Sequence, residues 1–455
     1  MKEICIVGGG TAGWLSAAYL SYHLTDAKIT LIESPDIPTI GVGEGTWPSI
    51  MKMLNEIGIK STELVTKTNG GVKLGIKFID FAEKPFWLST DPDWEIWGSD
   101  LSWGLANTNK CPVLKDDSVL GCHFVAHELA NLLREHSEKR GVKLIHGTVT
   151  DVDLSDNHCR SLTLEDGTVI KADWFVDSTG FRRLLIGKTD SQFNDYSSEL
   201  LVDTACVGQK SYTDPEKEYE PFTSSIGMTA GWRFKIPVYE RTGNGYVFSS
   251  KFITETDAIE EFKAATGVEN PRIIKMHPGY YQEIIKGNIV AVGFASGFIE
   301  PLEATAIHIA GQTIKGAVSI INGQQSHAEA NVELNRKIRY IKVVVLGHYA
   351  FSKRKDPFWV AASEAAKNSK DFQAFWEMLK YKYPTKEDNL DNGYPYFQWN
   401  ELLRGFGQEH YYPKLSHDAK MQVYLAQKHL PNHYRYITKI RLNDVDRRKK
   451  EMVSI

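Results

Sequence analysis

The first 33 residues constrain the fold most. Ile4-Cys5-Ile6-Val7 is a short apolar, β-branched run of the kind that forms a buried strand. Gly8-Gly9-Gly10-Thr11-Ala12-Gly13 follows, then a helical stretch from Trp14 to Leu24, then a second strand at Ile29-Thr30-Leu31-Ile32 that ends at Glu33. Strand, glycine turn, helix and strand, with G-x-G-x-x-G at Gly8, Gly10 and Gly13, predict a dinucleotide-binding unit. Gly8 permits the tight turn, Gly10 lets backbone approach a pyrophosphate, and Gly13 lets the helix pack against the strand. The helix start at Thr11 and Ala12 offers N–H groups to phosphate. Glu33 is spaced to bond a ribose hydroxyl. A glycine-rich turn of another α/β fold is the plainer alternative.

The remainder predicts an α/β chain in which this Rossmann-type module is interleaved with a second β-sheet region, plus a mainly helical C-terminal region. Gly121 to Arg140 reads as a helix carrying His123 and His127. Trp174 to Gly180 reads as a strand and polar turn, and Ile289 to Gly293 as a late strand of the first sheet. Ala304 to Ile321 reads as a long helix. The expected division is 1–80, 105–190 and 285–325 for the dinucleotide module, 81–104 and 191–284 for the inserted sheet and substrate region, and 326–455 for the helical region. At 455 residues the chain has room for all three. A net charge of −4 argues against nucleic acid or an anionic membrane surface as partner. Five scattered cysteines, no signal segment and no long apolar run lead to the expectation of a cytoplasmic protein. A homo-oligomer stays open.

Five segments, in order along residues 1–360, resemble the flavin-dependent halogenases of the tryptophan halogenase family, within the para-hydroxybenzoate hydroxylase-like flavoprotein superfamily. They are Gly8 to Trp14 (family G-G-G-T-A-G-W) and Gly41 to Pro48 (G-V-G-E-A-T). Gly231 to Pro237 is a variant of W-x-W-x-I-P, Pro301 to Ala306 is similar to P-L-E-S-T-G, and His348-Tyr349 leads to Asp356-Pro357-Phe358-Trp359. The resemblance implies FAD, used as FADH2 from a separate flavin reductase, with O2 and a halide ion. Hypohalous acid would be held by a lysine and aimed at an electron-rich, indole- or phenol-type small aromatic. It implies flavin contacts at Gly43, Gly45, Asp177, Gly180, Phe294 and Ile307, in addition to Gly8, Gly10, Thr11, Ala12, Gly13 and Glu33.

The resemblance further places the catalytic lysine at Lys77, in Gly75-Ile76-Lys77-Phe78. Lys73, four residues earlier, has the same strand parity. Glu303 would accept the ring proton. The backbone N–H groups of Thr305 and Ala306 would bind halide. Trp232 and Phe234 would separate flavin from substrate. Phe234, Ala304 and Ala306 depart from the family pattern, as does Phe294 from the hydroxylases' Asp. The change at Ala306 leads to the expectation that bromide or iodide is accepted at least as well as chloride. Trp87, Trp94, Trp97 and Trp103 crowd one segment expected near a substrate mouth. His123 and His127 lack the Glu of H-E-x-x-H, so no metal is expected. Two alternatives remain: an FAD monooxygenase that hydroxylates a small molecule, and an inactive FAD-binding sensor or scaffold.

Overall fold

The computed structural model describes residues 1–37, 44–89, 121–379 and 396–407. Strand β1 (Glu3–Val7) sits inside a six-stranded sheet of order Ile285–Lys286, Ile289–Ala291, Trp174–Asp177, β1, β2 (Lys28–Glu33), Lys143–His146. All neighbours are parallel except the first pair. Ile4, Cys5, Ile6 and Val7 are all buried, as a central parallel strand covered on both faces requires. Helix α1 (Thr11–His23) joins β1 to β2 and buries Trp14, Leu15, Ala17 and Ala18. The sheet is completed by a strand nearly 300 residues downstream, so the module is discontinuous in sequence.

A seven-stranded sheet lies in the order Arg272–Lys275, Thr204–Ser211, Arg241–Phe248, Gly231–Pro237, Thr223–Met228, β5 (Gly75–Ile79), β6 (Phe86–Ser89). It is antiparallel apart from the pairing of β5 with Thr223–Met228. Residues 75–79 therefore belong to the inserted sheet, ahead of the boundary expected at residue 80. A three-stranded sheet links the two regions, with β7 (Gly121–Phe124) between β3 (Glu44–Gly45) and β4 (Gly71–Lys73).

Gly121 to Arg140 is thus not one helix. It is a strand followed by the helix Ala126–Glu138, with Val125 extended between them. All four residues of β7 are buried, so both its faces are covered and the period-2 signal is absent. His123 is on this strand, where its Nε2 lies 2.9 Å from Thr223 Oγ1, and it shares no helix face with His127. The described C-terminal region is helical. Helix α2 (Thr305–Ile321) leads to α3 (His327–Ala350), which starts at a capping box of Ser326 and Glu329. Helices Pro357–Asn368, Lys370–Leu379 and Tyr396–Gly405 follow. Among the described residues no helix is long and apolar enough to cross a membrane.

Candidate active site

A cavity of about 500 Å³ has walls drawn from both large sheets. Gly8 to Ala12, Glu33, Ser178 to Arg182 and Phe294 line it from the parallel-sheet module. Trp232 and Phe234 line it from the inserted sheet, and Ala304, Ala306 and Ile307 from the start of α2. The glycine turn fits a dinucleotide. Gly8 has φ +114°, and a Cβ there would lie 2.4 Å from the Ser178 carbonyl oxygen. A Cβ on Gly13 would lie 1.8 Å from the Gly8 carbonyl oxygen, so the helix can approach only a bare backbone. At Gly10 nothing stands within 4 Å, which leaves backbone open to a ligand. Glu33 lies over Gly9, at the end of β2.

Not every expected cofactor contact faces this space. The Asp177 carboxylate is fully buried and is used up by the chain around it. Its Oδ1 accepts from the Thr179 amide and hydroxyl, and Oδ2 from the Leu185 and Ile186 amides. Asp177 shapes the turn, and Ser178 to Arg182 meet the cavity instead. Phe294 stacks on Phe181 at 4.7 Å between ring centroids, so where a polar residue was the expected type an aromatic pair forms the wall. Gly43 lies outside the described residues, as do Trp94, Trp97 and Trp103.

The two lysines of equal strand parity go to different places. Lys77, half-buried on β5, holds its ammonium 5.2 Å from the Trp87 ring and 5.5 Å from Phe222. Lys73 ends β4 and is fully buried. Burial pushes its ammonium down to about 8, while the charge of Glu303 pulls it up. The sheet register explains the placement. Lys73 is paired with Gly121, and a Cβ on Gly45 across β7 would lie 3.3 Å from Lys73 Cδ and 3.4 Å from Nζ. The lysine therefore reaches Gly45, which itself lines the cavity. Beside it, burial raises the Glu44 carboxyl to about 7. The chain turns at Leu74 from the three-stranded sheet into the seven-stranded one, and a parity argument across that break fails. The lysine that feels the charge of Glu303 is Lys73, whereas Lys77, the expected one, lies against Trp87 and Phe222.

Glu303 closes the short turn Pro301–Glu303 and is 1% exposed. The Trp47 indole N–H donates to its carbonyl at 2.6 Å. Its Oε1 lies 2.8 Å from His348 Nε2 on α3. Three residues earlier Glu300 is equally buried, and its Oε1 accepts from Trp232 Nε1 at 3.1 Å and from the Tyr349 hydroxyl at 2.7 Å. Burial pushes the Glu300 carboxyl up to about 8, against these two donors. Consecutive α3 residues thus stand against the two carboxyls of the Glu300-Pro301-Leu302-Glu303 turn, Tyr349 with a hydrogen bond and His348 at close contact. Glu300 was not marked in the sequence, and Tyr349 was marked only as part of a family-like segment, not as a partner of this turn. Immediately after the turn, Ala304 takes φ +53° and α2 begins with no side-chain cap and no acid in its first turn. Thr305 is buried, and Trp232 and Phe234 stand 6.2 Å apart on one face of their strand.

A parallel sheet whose glycine turn lines the cavity, interleaved with a second sheet that supplies the opposite wall, is the architecture of a flavin-dependent halogenase. Residues 3–90 and 105–439 match the family described as tryptophan halogenase, and the chain belongs to that family. It is 33% identical to tryptophan 7-halogenase RebH of Lentzea aerocolonigenes, covering 80% of this chain and 79% of that one. It is 31% identical to tryptophan 6-halogenase ThaL of Streptomyces albogriseolus over similar shares, 80% and 79%. Among solved structures, a tryptophan halogenase from Shewanella frigidimarina superposes with a TM-score of 0.84 at 25% identity, over 97% of this chain and 98% of that one.

Proposed function

We propose that this enzyme halogenates an electron-rich small arene of the indole or phenol type, with Lys73 and Glu303 as its catalytic residues. FADH2, delivered by a separate reductase, supplies with O2 and halide the hypohalous acid that is consumed. Gly8, Gly10, Thr11, Ala12 and Gly13 would hold the pyrophosphate, and Glu33 the ribose. Ser178 to Arg182, Gly45, Phe294 and Ile307 would enclose the rest of the flavin. The halide would sit against the Thr305 and Ala306 N–H groups, which no side chain caps.

The juxtaposition of a fully buried Lys73 with the charge of Glu303, behind cavity-lining Gly45, carries this reading. A desolvated ammonium donates strong hydrogen bonds to the hypohalous oxygen and holds the halogen toward the arene. Ring attack on halogen breaks the O–X bond, and the departing hydroxide takes a proton from the Lys73 ammonium and leaves as water. The ring proton passes to Glu303, and the C–H electron pair restores aromaticity. Trp232 and Phe234 would keep flavin and arene apart. Ala304 and Ala306 at the cavity wall support acceptance of bromide or iodide at least as well as chloride.

The test is a panel of indoles and phenols incubated with the chain, FAD, a flavin reductase, NADH and each halide, read by mass spectrometry. Halide-dependent mass gain by replacement of hydrogen is the expected result. Oxygen insertion without halide, with NADH oxidised by the chain alone, would mean a hydroxylase.

A further inference from the structure

Trp47 has no part in the reaction above, yet it meets the turn that carries Glu303. It is buried, and its indole N–H donates to the Glu303 carbonyl at 2.6 Å. Its ring lies 4.9 Å from that of His308, near the start of α2, and His308 Nδ1 lies 2.6 Å from Ser49 Oγ. The backbone that carries the indole is itself fixed. Trp47 caps the helix Pro48–Glu56, and its carbonyl accepts from the Ile50 amide at 3.0 Å. Thr46 is tied to Cys122 of β7, its amide donating at 2.7 Å and its hydroxyl accepting at 2.8 Å.

The carbonyl that Trp47 holds belongs to a strained peptide. Ala304 follows it with φ +53° and ψ +39°, the left-handed region in which Cβ crowds the following carbonyl oxygen. A residue at a helix start ordinarily takes extended backbone instead. Rotating the Glu303–Ala304 peptide plane would return Ala304 to negative φ. Two hydrogen bonds oppose that rotation, one on each side of the plane. The Trp47 N–H holds the Glu303 carbonyl, and the Ala304 amide donates to the Pro301 carbonyl at 3.0 Å. No side chain caps α2, so the direction of its first N–H groups follows from this peptide.

We propose that Trp47 is a positioning residue that locks the Glu303–Ala304 peptide and so aims the amides of Thr305 and Ala306 at the halide. This rests on those amides being the halide site. The strain at Ala304 is what the lock works against, and it is stored beside the chemistry.

The experiment supplies the chain with reductase, FAD, an accepted arene and varied bromide. W47F keeps a ring and removes the donor. Its KM for bromide is expected to rise about three- to tenfold, the weight of one neutral hydrogen bond. Glycine takes positive φ without a Cβ penalty, so W47F/A304G is expected to return KM to within about twofold of wild type. The melting temperature of the double variant stays low, because glycine at 304 does not refill the volume lost with the indole. A chain carrying 3-benzothienylalanine at position 47, with sulfur in place of the N–H and the ring volume kept, is expected to repeat the rise in KM without the packing loss. An unchanged KM in that chain, or a raised KM in W47F that A304G leaves raised, overturns the proposal. Bromide-soaked crystals add a readout without turnover. An anomalous peak is expected at the Thr305 and Ala306 amides in the wild-type chain, and a weaker one in W47F. Equal peaks refute the lock alone, whereas a wild-type chain with no peak there refutes the halide site on which it rests.

Discussion

At the scale of single residues, the site is set by which polar groups are buried and what faces them. Glu300 makes this measurable through stability. Its folded state prefers the neutral carboxyl up to about pH 8, whereas the unfolded chain ionises near the ordinary value of 4.5. The stability it contributes is therefore complete below pH 4.5 and is lost as pH rises toward 8. E300Q keeps the acceptor for Trp232 and Tyr349 and cannot ionise. The variant is expected to melt above the wild-type chain by roughly 2 °C or more at pH 8, with the gap closing by pH 5, in thermal scans across that range. Sequence reading singled out Glu303, Thr305, Trp232 and the glycine turn because local motifs carry them, and the structure gathers the glycine turn and Trp232 on one cavity, with Glu303 and Thr305 buried beside its wall. It placed the lysine at Lys77 by resemblance alone, with Lys73 at the same strand parity, and the change of sheet at Leu74 sends the two to different places. It gave Asp177 to the cofactor by resemblance, whereas four backbone and hydroxyl donors fold over its carboxylate.

At the scale of elements, the glycine turn and α3 do separate work. G13A forces a methyl against the Gly8 carbonyl, so strand and helix must part. The expected cost is about 3 kcal/mol in denaturant unfolding. G10A meets nothing within 4 Å and is expected to leave stability within about 1 kcal/mol of wild type. Both variants should weaken FAD binding, measured by fluorescence titration. Helix α3 presents His348 and Tyr349 near its C-terminal end, while its capping box sits at the other end. S326A should lower unfolding free energy by about 1 kcal/mol and leave the pH profile of halogenation unmoved. Strand β7 was illegible as a strand because burial on both faces erases alternation, and a histidine pair across it looked helical only by spacing.

At the scale of the whole molecule, a late strand closes the first sheet and brings the turn at 300–303 against the nucleotide cradle, while β3, β7 and β4 bring Lys73 to the same place from the other side. No contiguous stretch of sequence contains this arrangement; it exists only once the two sheets share one core. The halide consequence also belongs to this scale, since cavity walls from several segments decide what fits. With bromide and chloride at equal concentration, brominated product is expected to equal or exceed chlorinated product by mass spectrometry. The most direct test of the account compares K73A with K77A, each supplied with reductase, FAD, halide and an accepted arene. The expected result is loss of halogenated product in K73A by about 100-fold or more, with K77A within severalfold of wild type and both variants binding FAD normally. Retained halogenation in K73A, or its loss in K77A alone, would contradict the account.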